Sequence, residues 1–152
     1  MSEYTQANLP SQTVVVTENV QATVINTEDT SRRLALTIAQ AAADRKAADI
    51  LVLRVEEVSY LADYFVMGTG YSRVQVRAIA QAIKGSVEIE LNRRPLRSEG
   101  ESDGSWVLLD YGDAIVHIMM HREREFYNLE AFWGHAETVE FSLANIDEEK
   151  PK

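Results

Sequence analysis

The stretch Trp106-Val107-Leu108-Leu109-Asp110-Tyr111-Gly112-Asp113-Ala114-Ile115-Val116-His117-Ile118-Met119 decides the fold. Two apolar, β-branched runs flank a cluster of turn formers, so the spacing predicts an antiparallel hairpin that reverses at Tyr111-Gly112. Successive strand residues point to opposite faces, which gives Trp106-Val107-Leu108-Leu109 one inward and one outward side. Tyr111 stands at the turn, where burial is difficult, and at least one large aromatic of this hairpin is expected to be partly exposed.

Upstream, a short strand is expected near Leu96 to Ser98, and the polar turn Gly100-Glu101-Ser102-Asp103-Gly104 leads into the hairpin. Before it, Val76, Ile79, Ala80, Ile83 and Val87 recur at helical spacing. Ser72 as N-cap and Gln75 three residues on predict the start of that helix, and Arg94-Pro95 predicts its end. Tyr64-Phe65-Val66-Met67 and Asp49-Ile50-Leu51-Val52-Leu53-Arg54-Val55 read as strands, with Gly68-Thr69-Gly70 as a tight turn into the helix. An earlier helix runs from Ser31 to about Ala48 on the stripe Leu34, Ile38, Ala41 and Ala42. Downstream, Phe126, Leu129 and Trp133 place a last helix over about Glu123 to Gly134. The expected architecture is α/β of the α+β kind, a mixed sheet of about five strands with three helices packed on it.

The flanks differ from this centre. Residues 1–30 lack helical periodicity and read as a flexible extension in which Thr13 to Thr17 can still pair as a strand; residues 137–152 read as an acidic, frayed tail. The central domain is therefore expected over residues 31–136. The formal net charge of −9 comes mostly from the flanks, so gross charge says little about the partner of the folded part. Distribution says more: Ser98 to Met120 holds Glu99, Glu101, Asp103, Asp110 and Asp113 and no Lys or Arg, a field suited to a cationic surface and adverse to phosphate. Absence of cysteine excludes disulfides, thiolate metal sites and thiol nucleophiles. Met1 to Ser31 carries no Lys or Arg and no apolar stretch approaches a membrane span, which predicts a soluble cytoplasmic protein.

Chemical motifs are thin. Gly68-Thr69-Gly70 resembles a phosphate cradle but matches neither the dinucleotide fingerprint nor the P-loop. Asp110 and Asp113 flank a turn and suit a divalent cation, yet Asp is favoured in turns for its bonds to local amides. His117 and His121 have a zinc-like spacing but are expected to run from a strand end into a loop, without the helix that presents such pairs together. No Ser–His–Asp arrangement is identifiable. The arginines at 93, 94 and 97 and at 32 and 33 lack the interleaved aromatics of a nucleic-acid surface. Neither a catalytic group, a metal site nor a cofactor is expected. Trp106 and Tyr111 among carboxylates have instead the composition of a binding hot spot, with core packing as the alternative for Trp106.

The run from Trp106 to Ile118, followed by Arg124-Glu125-Phe126-Tyr127-Asn128-Leu129-Glu130 and Trp133, resembles the signature of the ribosomal silencing factor (RsfS, or Iojap) family. Asp63 to Gly70 with Ser72-Arg73 is similar to its other block, and the likeness covers about residues 31–135 in order. The resemblance implies a nucleotidyltransferase-like fold without that active site. It also implies a translational repressor that binds ribosomal large-subunit protein fourteen and obstructs the small subunit. Trp106, Asp110, Tyr111, Gly112, Asp113 and Glu101 would then face that protein, Tyr111 standing where some relatives carry an aliphatic residue. The free protein would self-associate through the same aromatic face. The alternatives are a divergent nucleotidyltransferase using Gly68–Ser72 for phosphate and Asp110 with Asp113 for metal, or a large-subunit assembly factor.

Overall fold

The computed structural model describes residues 12–15, 23–56 and 62–141. A two-stranded antiparallel ribbon, β1 (Gln12–Val15) and β2 (Thr23–Asn26), precedes α1 (Thr27–Asp44). There follow β3 (Ala48–Arg54), β4 (Tyr64–Gly70), α2 (Arg73–Leu91), β5 (Arg97–Glu99), β6 (Trp106–Asp110) and β7 (Ala114–Met120). The chain closes with α3 (His121–Tyr127), a 3₁₀ segment (Leu129–Trp133) and β8 (Glu137–Thr138). The main sheet has six strands in the order β5-β6-β7-β4-β3-β8. All neighbours are antiparallel except β4 and β7, which run parallel from Tyr64 opposite Ala114 to Gly70 opposite Met120. A mixed sheet with three α-helices is the expected class, with one strand more than anticipated.

The alternation of the strands sorts two cores. On one face α1 and α2 lay Leu34, Ile38, Val76, Ile79, Ile83 and Val87 against Val52, Val66, Val107, Leu109, Val116 and Ile118. On the other face Leu53, Phe65 and Met67 meet Ile115, Leu129 and Trp133. β4 is central and buried on both sides, which is why it reads as an unbroken apolar run. Burying a side chain of this size contributes about 1.5–3 kcal/mol, so the two faces together outweigh any surface pairing.

The local rules hold at α2. Ser72 Oγ accepts from the Gln75 amide at 3.0 Å, and the Gln75 side chain turns back to accept from the Tyr71 amide at 2.7 Å. Its far end comes at Asn92, whose left-handed backbone caps the helix just ahead of Pro95.

Four expectations are corrected. Gly68-Thr69-Gly70 is the end of β4 and not a turn. Gly70 is required by close approach, because a Cβ there would stand 2.8 Å from Val76 Cγ2. The last helix is two pieces, broken where Asn128 takes φ 47° and caps α3. Glu137–Thr138 pair with β3, and the Val139 amide donates to the Val52 carbonyl at 2.8 Å, so the segment expected to fray adds an edge strand. Finally, α1 starts at Thr27 and the residues before it include a second strand, where one was expected near Thr13 to Thr17. Among the described residues, no helix is long and apolar enough to cross a membrane.

Candidate docking surface

The two ends of β6 have different fates. At the hairpin end, Gly112 takes φ 93°, and its amide donates to Asp110 Oδ1 at 2.8 Å, the local turn bond for which aspartate is favoured. Asp113 receives both guanidinium nitrogens of Arg93, at 3.1 and 2.7 Å, while its backbone carbonyl accepts from the Asp63 and Tyr64 amides. Arg93 also donates to the Tyr111 carbonyl at 2.8 Å, and its pairing with Asp113 raises its already high pKa. Asp110 lies 3.5 Å from Arg97, and Glu101 is salt-bridged to Lys84. These carboxylates therefore have partners within the chain; no group of three or more His, Asp or Glu suited to a metal occurs among the described residues.

Tyr111 is the main correction. It is 1% exposed, inside the core beneath α2, and burial pushes its hydroxyl up to about 12. The ring packs in the core while Arg93 holds the backbone of the turn through the Tyr111 carbonyl and Asp113, so it is not a surface aromatic.

At the other end of β6 the aromatics remain open. Trp106 is half-buried, and its indole N–H donates to His117 Nδ1 at 3.0 Å. His117, on the adjacent strand, must then be neutral with its proton on Nε2. Burial depresses its pKa to about 4. Its ring meets Phe65 edge-on at 6.0 Å, and Phe65 meets Trp133 at 4.8 Å. Outward, Trp106 contacts Tyr127 at 4.9 Å with the rings tilted 48°, and Phe126 meets Tyr127 at 4.9 Å and 87°. An aromatic series thus runs from the core under the 3₁₀ segment to the surface of α3.

Phe126 is 80% exposed and Tyr127 48%. With Ser105, Trp106, Arg122 and Glu123 they line a groove of about 360 Å³. Arg124 fixes the outer wall of this groove: its Nη1 donates to Thr69 Oγ1 at 2.9 Å and its Nε to Glu130 at 3.0 Å, tying α3 to the end of β4. Sequence periodicity assigned Phe126 to the buried stripe of one long helix and passed over Tyr127. The legible signal was Asn128, a residue that tolerates the left-handed conformation and ends the helix directly after these two rings. His117 and His121 do not converge: the first is buried against Trp106, the second lies exposed beside Glu125.

Such a fold is a small mixed α/β domain, with its turn acids paired within the chain and an aromatic groove beside the carboxyl end of β7. The family model described as ribosomal silencing factor during starvation matches residues 28–152. Ribosomal silencing factor RsfS of Bacillus subtilis is 43% identical over 113 residues, 74% of this chain and 91% of the relative. Protein Iojap, chloroplastic, of Zea mays is 38% identical over 106 residues, 70% of this chain and 46% of that one. A crystal structure from Chromobacterium violaceum superposes with a TM-score of 0.66 at 32% identity, covering 73% of this chain and 91% of its own. The chain belongs to the ribosomal silencing factor family.

Proposed function

We propose that this protein is a cytoplasmic, ribosome-associated silencer of translation that docks on large-subunit protein fourteen and occupies space the small subunit needs. It acts as a binding protein, with no cofactor and no chemical step. The observation that carries the docking reading is the open groove at Trp106: rigid aromatics anchored from beneath, the composition in which interface energy concentrates. The names of the relatives supply the ribosomal context. The landing surface is accordingly the Trp106, Phe126 and Tyr127 end of β6, while Asp110, Gly112 and Asp113 bear on it only as the brace of the hairpin. Trp106→Ala is expected to weaken co-sedimentation with large subunits about tenfold or more, a loss typical of a hot spot. Binding by that variant at wild-type strength rejects the surface.

A second reading is favoured by one observation. A mouse relative, 32% identical over 89 residues, is named mitochondrial assembly of ribosomal large subunit protein 1. Accumulation of immature large subunits on deletion of the gene, with normal joining of mature ones, would select assembly over silencing.

A further inference from the structure

We infer that the groove between β6 and α3 is a pocket for one cationic side chain, arginine or lysine, of the docking partner, with Glu123 as its counter-charge. The inference rests on the docking reading above and narrows it to a chemistry. Its first support is the disposition of the rings. Trp106 and Tyr127 are tilted by 48° and Phe126 stands at 87° to Tyr127, so the three form diverging walls and not a closed stack. The indole N–H is already bonded to His117, which leaves only the ring surface of Trp106 to interact outward. A ring face carries negative quadrupolar charge, and the group it favours is a cation.

Glu123 supplies the second support. Its Oε1 is shielded from water and has no hydrogen-bond partner, although the residue lines a groove open to solvent. Glu123 places a negative charge on the groove wall, and a charged N–H donor entering the groove pairs with it once the side chain turns its shielded oxygen outward. Arg122 lines the same groove but is exposed and gives Glu123 Oε1 no hydrogen bond. The volume is consistent with this: about 360 Å³, at the small end of the roughly 300–1,000 Å³ range of ligand pockets, admits one long side chain. The aromatic anchors below hold the walls in place before the partner arrives, which lowers the ordering cost of binding.

Two measurements on the full chain decide the matter. In the first, the Trp106 indole N–H resonance is followed by NMR while Gly-Gly-Arg-Gly-Gly is added, with the citrulline peptide as neutral control. A saturable shift is expected with arginine, about fivefold or more weaker with citrulline and in Glu123→Gln. Equal responses to the two peptides, or none to either, overturn the pocket. In the second, co-sedimentation with large subunits is expected to survive Tyr127→Phe within about twofold and to fall about fivefold or more in Tyr127→Leu and Glu123→Gln. Wild-type binding by Glu123→Gln overturns the pocket while docking stands. A positive peptide response without any subunit binding overturns docking while the pocket stands.

Discussion

His117 shows how a single side chain couples the core to the surface. It accepts the Trp106 N–H only when neutral, and burial lowers its pKa from the usual 6.5 to about 4. The unfolded chain therefore binds a proton more readily than the folded one between these values, so the stability present above pH 6.5 is lost progressively as pH falls towards 4, by roughly 3 kcal/mol at most. Urea unfolding at pH 7 and pH 5 should show this loss in the wild type and a clearly smaller one in His117→Gln. Arg93 poses a different case, a two-pronged pair with Asp113 that is only partly shielded from solvent. Arg93→Ala is expected to cost about 1–2 kcal/mol in the same assay, because screening discounts the charge while the Tyr111 carbonyl also loses its donor. Residue by residue, the sequence made the turn acids legible and misplaced the rings. Alternation leaves Trp106 open between core and surface, and no local pattern announces that Tyr111, at the turn, is buried in the core.

Between residue and molecule, helices and strands were legible where periodicity was long and lost where one residue interrupts it. α2 and the β6–β7 hairpin follow from spacing and caps alone. The two glycines at the end of β4 looked like a turn because glycine marks turns more often than tight packing. Gly70→Ala should test the packing account: the added methyl meets Val76 Cγ2 and the Val76 amide, and a loss of about 1–3 kcal/mol is expected in thermal or urea unfolding. Gly85 is the counterpart, in the exposed middle of α2, where a methyl would meet nothing within 4 Å beyond the helix's own backbone, so Gly85→Ala should stabilise by about 1 kcal/mol. α3 ends at Asn128 for conformational reasons, and Phe126 and Tyr127 lie exposed in its last turn.

At the scale of the whole molecule, the parallel pairing of β4 with β7 brings the start of α2 and the start of α3 to one end of the sheet. That join was not legible, since strand order depends on long-range contacts that periodicity does not encode, and neither was β8, only two residues long. The strut that steadies the groove, Arg124 on Thr69, spans 55 residues of chain. Contacts of such separation carry the entropy of closing a long loop and form slowly. A chain folded only through β4 therefore lacks the groove, whose wall is set when α3 returns to the end of that strand.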